Sequence, residues 1–426
     1  MPTITFDDDS FISQLNTCDV TARAILFIQP YGACLSLLQY GLKCGDQIIV
    51  LTAQTDLRMV PDEITQSVLM TIIINTANET DVLRCVSQLQ EKIKFRAVIP
   101  GFEYFVPLAA KLCEYLQLPG LASSHVMQLR RKDLMRTRLQ QAGVIQPKFK
   151  LVKSMRELNQ AVDEIGFPAI CKPVDAAGSV YVKKVMNKTE AQLAALAVFK
   201  NDKYFWGHEL SGLLLVEEYV EGKEFSLEGV VQQGNIMHFS LTEKFVADQH
   251  EFIEVGHIVN TPICNEYRQA MEDYVEKVLD ILGADNCPFH AELRLCEGQP
   301  ILMEIAARLA GDKIGDLINL SGCVNYFDYV YAAYCGEQLA NITRSDESVG
   351  IRFFYRPEIS AYSNIGGLEQ VKHYPIEELS IYYKPGCAIP AFPKPLRRLG
   401  HVIAKNKDYN ALLTMLDRID TMMVFQ

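Results

Sequence analysis

A chain of 426 residues exceeds what one hydrophobic core organises, so two to three domains are expected. Hydrophobic content of 49% with mean hydropathy near zero describes a globular protein with sizeable cores. A net charge of −11 argues against a nucleic-acid groove or an anionic membrane surface as the main partner, yet leaves room for a nucleotide site built on a few lysines.

The amino terminus passes from Thr3-Ile4 into Asp7-Asp8-Asp9 without the apolar stretch of a signal peptide, and no apolar run reaches membrane-spanning length. The first third then alternates short apolar runs with amphipathic ones. Ala24–Ile28, Gln47–Leu51, Thr71–Ile74 and Ala97–Ile99 read as strands. Ala33–Tyr40, Asp81–Ile93 and Phe105–Leu116 read as helices, the last burying Leu108, Leu112 and Leu116 along one stripe. This alternation predicts a parallel sheet covered by helices on both faces. Gln29-Pro30-Tyr31-Gly32 follows the first strand where doubly wound folds bind ligands, but GxGxxG is absent. Gly101 and Glu103 occupy an equivalent loop, where Glu103 reads first as a solvated acid and second as a ligand group.

The pattern changes near Pro119-Gly120. A helix is expected over Lys132–Gln141 with Gly143 beyond its end, then a strand over Pro147–Val152, a helix over Ser154–Ile165 and a strand over Phe167–Pro173. From Gly212 the chain turns mostly β, with runs at Leu213–Tyr219, Glu224–Val231 and Ile236–Leu241. A helix over Glu266–Leu282 precedes two apolar strands, Pro288–Leu295 and Pro300–Ile305, with Gln299-Pro300 expected as the hairpin turn. Ile314–Leu320 and Tyr326–Tyr334 read as helices, Asn341–Ser348 as a polar link, and Tyr409–Leu416 as a terminal helix. Turn signals stand at Gly366-Gly367, Lys384-Pro385-Gly386 and Leu399-Gly400. Twelve cysteines are scattered through apolar runs, with no CxxC pair and no zinc-ligand spacing, which fits a reduced cytoplasmic protein.

Three segments carry chemistry. On the first of the two late strands, alternation puts His290 and Glu292 on one face, and Glu304 on its partner can project to the same side. Two converging carboxylates suit Mg²⁺ shared with nucleotide phosphates, because that ion keeps its waters and needs few protein ligands. Arg308, just beyond, could hold a developing anion. Lys172 leaves an apolar strand beside the small-residue loop Asp175-Ala176-Ala177-Gly178-Ser179, an arrangement that could cradle a phosphate, although it is not a P-loop. In Val216–Glu224, the backbone around Glu217, Glu218 and Val220 could pair with an adenine edge, and Glu224 could accept ribose hydroxyls. Taken singly, each segment reads better as an ordinary hairpin, a rim lysine or a charged turn.

Together, and in this order, these pieces resemble the ATP-grasp superfamily, more narrowly its carboxylate–amine ligases of the L-amino-acid ligase (dipeptide synthetase) type. The likeness rests on Lys132 opening a helix, on Phe167–Ser179 with Lys172 and its Gly178-Ser179 loop, on Val216–Glu224, on His290/Glu292 and on Glu304/Arg308. Glu254-Val255-Gly256-His257 is similar to the segment where dipeptide-forming members hold the amino acid. Ala306 departs from the family, which often carries Asn there.

The resemblance implies an α/β protein with the ATP-grasp fold. It divides into an N-terminal doubly wound α/β (pre-ATP-grasp) domain at 1–121, an ATP-grasp domain at 122–335 with a lid around 168–220, and a small C-terminal α+β domain at 336–426. It implies ATP and Mg²⁺ as cofactors, two ions with Mn²⁺ able to substitute, and metal ligands Glu292 and Glu304. Nucleotide contacts fall to Lys132, Lys172, Gly178, Ser179, Glu217, Glu218, Val220 and Glu224. Glu254, His257 and Arg308 fall to substrate, and Arg308, Lys172 and His290 to catalysis. The implied reaction forms an acyl phosphate from a carboxylate and passes it to an amine, releasing ADP. The partners are small molecules, with no nucleic acid and no membrane, and a homodimer is compatible. The rival readings are an ATP-grasp carboxylase or purine-pathway ligase, and a non-catalytic nucleotide-binding module.

Overall fold

The computed structural model describes residues 3–6, 11, 15, 23–55, 59–200, 204–205, 208–247, 252–322, 324–341, 345, 347–391 and 397–426. The acidic run Asp7–Asp9, and residues 342–344 and 346 of the expected link, lie outside them.

Strands β1 (Thr3–Thr5), β2 (Ala24–Ile28), β3 (Gln47–Thr52), β4 (Met70–Ile73) and β5 (Phe95–Pro100) form one parallel sheet in the order β1-β4-β3-β2-β5. Successive strand residues feed opposite faces. Ile25, Phe27, Ile48 and Val50 pack with the helix Ala33–Lys43, whereas Leu26, Ile28, Ile49 and Leu51 pack with Glu79–Leu89 and Val106–Leu116. Leu116 is only partly buried, so the expected stripe ends at Leu112 and Cys113. The strand order reverses between β2 and β5, which makes a crevice at their carboxyl ends. The loops there are pressed together: a Cβ on Gly101 would sit 2.1 Å from the Gln29 carbonyl oxygen.

β6 (Phe149–Val152), β7 (Ala169–Pro173), β8 (Lys183–Val185) and a later strand, β11 (Leu214–Glu218), form a small antiparallel sheet in the order β6-β11-β7-β8. Between them β9 (Tyr204–Phe205) and β10 (His208–Glu209) pair with each other. Ala169, Cys171, Leu214 and Val216 face the helices Met155–Ile165 and Lys188–Phe199, so the alternate residues Ile170, Lys172 and Glu217 face the other way.

The large sheet is antiparallel and eight-stranded. It uses β12 (Lys223–Gln232), β13 (Asn235–Val246), β14 (Glu254–Val259), β15 (Cys287–Cys296), β16 (Gln299–Ala306) and β17 (Ser348–Tyr355). β18 (Ile365–Gly366) lies apart from it, and β19 (Ile376–Ile381) and β20 (Arg398–Asn406) complete it, in the order β16-β15-β12-β13-β14-β17-β20-β19. β21 (Val424–Phe425) pairs with β18. The strands after residue 335 therefore extend the same sheet that carries the earlier motifs. One face packs Phe225, Leu227, Ala291, Leu293 and Leu302 against the helix Asn265–Leu282.

Two expected turns are displaced. The β15–β16 reversal is made by Glu297-Gly298, with φ of 49° and 84°, and Gln299 and Pro300 already pair with Cys296 and Leu295. Two successive positive φ values suit the tight hairpin, and glycine fills the second without strain. Leu399-Gly400 lies inside β20, where a Cβ on Gly400 would meet the Ser380 carbonyl oxygen at 2.2 Å. That glycine serves a close strand approach. The terminal helix is longer than its apolar stripe suggested, spanning Tyr409–Met422.

Candidate active site

The small sheet, the large sheet and the start of the helix Lys132–Gln141 enclose a cleft of about 790 Å³ including its mouth, within the size range of small-molecule sites. Eleven of the expected site residues line it: Lys132, Lys172, Gly178, Ser179, Glu217, Glu218, Val220, Glu224, Glu254, Glu292 and Glu304. His257, His290 and Arg308 do not: His257 and His290 stand one contact behind it through Glu254 and Glu292, whereas Arg308 pairs with Glu103, which does not line it either.

Glu292 and Glu304 are cross-strand partners on β15 and β16. The register slips there, so that Leu293 pairs with Leu302 and Met303 is the extra residue of a bulge. The bulge turns the Met303 carbonyl toward cations: Arg136 Nη2 donates to it at 3.0 Å and Lys172 Nζ at 3.4 Å. Lys132 Nζ donates to the Ala176 carbonyl at 2.8 Å and pairs with Glu304 at 2.9 Å. Lys172 Nζ pairs with Glu217 at 2.7 Å.

The adenine contact expected of the Glu217 segment concerns its backbone, and the Glu217 side chain has a place of its own. It is buried between Lys172 and Arg136, with Arg136 Nε at 2.7 Å. Burial alone would raise its pKa, but the two cations outweigh it and hold the carboxyl at about 2. Burial pulls the Lys172 pKa down, with Glu217 opposing. The Val220 carbonyl accepts Arg294 Nη1 at 2.7 Å, and Glu224 accepts from Arg294 Nη2 at 3.0 Å.

A second set of charges lines the large sheet. Lys244, from β13, is buried among three carboxylates: Glu292 at 2.6 Å, Glu224 at 3.7 Å and Glu254. Burial lowers its pKa, yet Glu254, Glu292 and Glu224 together raise it well above the usual lysine value. Glu254 thus already has a cation. His290 donates from both nitrogens, Nδ1 to Glu228 at 2.9 Å and Nε2 to Glu292 at 3.1 Å, and these bonds overcome burial to raise its pKa to about 9. That makes His290 an imidazolium bracing Glu292. On β14 the register slip beside Val255 lets Glu254 and His257 reach one side, 3.5 Å apart, and His257 Nε2 meets Asp312 at 3.2 Å.

The two carboxylates fit a divalent cation by their donor chemistry. Both are hard oxygen ligands, 25% and 33% exposed at the cleft, and each is balanced by a lysine that could release it. Glu254, His257 and Asp312 also place ligand-type atoms within 4.8 Å of one another, but Lys244 and Arg398 already neutralise that group.

Glu103 corrects its expectation as a solvated acid. It sits in the short helix Glu103–Phe105, is 3% exposed, and receives Arg308 Nε at 2.5 Å. The loop at the crevice of the first sheet therefore reaches the segment after β16 that carries Arg308. The Ala176–Val180 loop, part of the lid expected around 168–220, packs Ala176, Ala177 and Val180 into the core of the first sheet, and Arg130 donates to the Asp175 carbonyl at 2.5 Å. Gly178 and Ser179 carry φ of 68° and 55°.

The residues missed from sequence are Arg136, Lys244, Arg294, Glu228 and Arg398. A period-2 signal existed for two of them. Arg294 continues the face of His290 and Glu292, and Lys244 continues Ser240 and Thr242 on β13. Arg136 and Arg398 join the site only through contacts far apart in the chain.

The model of an ATP-grasp domain matches residues 165–316, and that of an ATP-grasp N-terminal domain matches residues 43–120. Alanine–anticapsin ligase of Bacillus subtilis (strain 168) is 27% identical over 255 residues, which is 55% of this chain and 52% of that protein. Dapdiamide A synthase of Enterobacter agglomerans is 29% identical over 231 residues, 53% of each. The matches to these two relatives span about half of their length. Among solved structures, the L-amino acid ligase from Bacillus licheniformis superposes with a TM-score of 0.79 at 20% identity, covering 96% of this chain and 100% of that one, a likeness of fold.

Proposed function

Because the chain belongs to the ATP-grasp superfamily, we propose that it is an ATP-dependent ligase joining an L-amino acid carboxylate to an amine, a second amino acid, with release of ADP and phosphate. One juxtaposition supports this reading above others: Lys132 and Lys172 converge on the bulged end of β16, and Glu304 and Glu292 stand beside them in the same cleft.

Phosphoryl transfer is chiefly positioning and charge neutralisation. Lys132 and Lys172 supply fixed cations for the phosphates, with Gly178 and Ser179 beside them. Glu292 and Glu304 would hold Mg²⁺, two ions with Mn²⁺ able to replace them, and a bound ion supplies further neutralisation of phosphate charge. The nucleotide's base and ribose take the end lined by Glu218, Val220 and Glu224. His290 braces Glu292. Glu254 and His257 hold the amino acid to be activated, and Arg308 offers positive charge to the tetrahedral oxyanion of the second step. The docked Ala176–Val180 loop excludes water that would hydrolyse an acyl phosphate. The division at 1–121, 122–335 and 336–426, a cytoplasmic location, small-molecule partners without nucleic acid or membrane, and a homodimer belong to the same reading. No helix of the described residues is long and apolar enough to cross a membrane.

The test is ADP release with Mg²⁺ across a panel of free and N-acetylated amino acids. Activity with the free acids and loss on N-acetylation is the expected result. Bicarbonate-dependent ADP release, or none with any carboxylate, would replace this reading by a carboxylase or a binding module.

A further inference from the structure

Strand β20 comes late in the chain, yet its first residue stands directly behind Glu254 of the cleft wall. Arg398, 9% exposed, sets Nη1 at 2.8 Å from both Oδ1 and Oδ2 of Asp312 and Nη2 at 3.9 Å from Glu254. Its guanidinium lies 4.2 Å from the Phe353 ring centroid, so packing as well as charge fixes it. Asp312 is presented by unusual backbone: Asp312 and Lys313 have φ of 50° and 62°, a conformation that side-chain-bearing residues adopt at a cost. The C-terminal strands hold this turn twice, because Lys313 Nζ also pairs with Glu378 of β19 at 3.1 Å. Glu378 in turn accepts from Nε2 of the buried His401 at 3.0 Å.

The charge balance is close. Glu254 and Asp312 are two acids served by Lys244 and Arg398, with His257 between them. Lys244 is further shared with Glu224 and Glu292. Arg398 therefore decides whether this end of the cleft presents a neutral or an anionic wall. A wall left with one unmatched carboxylate attracts a ligand cation and repels a ligand anion, and one left with an unmatched guanidinium does the reverse.

We propose that the Arg398–Asp312 pair is the specificity-determining element for side-chain charge, holding the amino-acid pocket neutral so that uncharged amino acids are preferred. This rests on the amino-acid ligase reading. It assigns a substrate-selecting role to the C-terminal strands, whose distance along the chain hides it from any local motif.

The test is a four-member cycle, the parent, Arg398→Met, Asp312→Asn and the double variant, each assayed for ADP release with neutral, lysine-like and glutamate-like amino acids. Arg398→Met should move kcat/KM toward the cationic substrates by roughly tenfold relative to neutral ones. Asp312→Asn should move it toward the anionic substrates. The double variant should return to the neutral preference, although its absolute rate is lower. Arg398→Lys keeps the charge and should keep the preference, which guards against an Arg398→Met chain that fails to fold. Equal losses for all three substrate classes in both single variants would make the pair merely structural and overturn the proposal. A parent that releases no ADP with any amino acid would instead remove the ligase reading, and this inference with it.

Discussion

Glu292 and Glu304 stand opposite one another on β15 and β16, and each is held by a lysine from a different element, Lys244 of β13 at 2.6 Å and Lys132 of the helix Lys132–Gln141 at 2.9 Å. Two acids side by side would repel, and the lysines offset that repulsion. A divalent ion held by the two acids would supply the same neutralisation.

Removing either acid should therefore disable the chemistry. Glu292→Gln and Glu304→Gln are each expected to lower Mg²⁺-dependent ADP release by about 100-fold or more, the scale on which fixed electrostatic groups act. Circular dichroism should show an unchanged fold. Parent-like turnover in both variants would refute the metal assignment.

The lysines should affect nucleotide binding itself. Lys172→Ala and Lys132→Ala are expected to weaken ATP binding by roughly tenfold or more in calorimetry, as each removes a buried charge from the phosphate end. Arginine at position 172 should rescue poorly, because a planar fork does not fit where a compact ammonium meets Glu217 and the Met303 carbonyl. Unaltered ATP affinity in both alanine variants counts against the phosphate role.

Arg308 divides the two steps. With Arg308→Ala, hydroxylamine trapping should still report acyl phosphate, while amide product falls further, by about another tenfold. The paired Glu103 supplies a control: Glu103→Gln keeps the Arg308 charge, so it should spare the trapped product as well as most of the amide. Equal loss of hydroxamate and amide in Arg308→Ala would move Arg308 to the first step.

Glu217 predicts an acid limb of stability. Its folded pKa of about 2 lies below the ordinary glutamate value of 4.5, so its stabilisation is complete above pH 4.5 and fades as pH falls from there toward 2. The contribution is on the order of 3 kcal/mol. Urea unfolding of Glu217→Gln should show a shallower fall in stability across that window than the parent. Arg136→Met should cost about 3 kcal/mol or less at neutral pH, since it removes one of the two cations that hold the buried Glu217 carboxylate and leaves Lys172. An identical acid slope in parent and Glu217→Gln would show that Glu217 is not depressed.

Local order along the chain settled much of this protein. Apolar runs of period 2 and stripes of helical period determine the parallel sheet, the helices on its two faces and the strands that carry Lys172, Glu292 and Glu304. Alternation alone placed His290 and Glu292 together, and it extends to Arg294. The tertiary structure decided what depends on register and long-range partners. A bulge at Met303 aims one carbonyl at two cations, a slip beside Val255 brings Glu254 to His257, and Glu103 is buried against Arg308, 205 residues away. Arg398 reaches Asp312 across 86 residues for the same reason. Register slips and ion pairs between distant segments leave no periodic trace, because their energy comes from desolvated charges that meet only after the sheets have stacked.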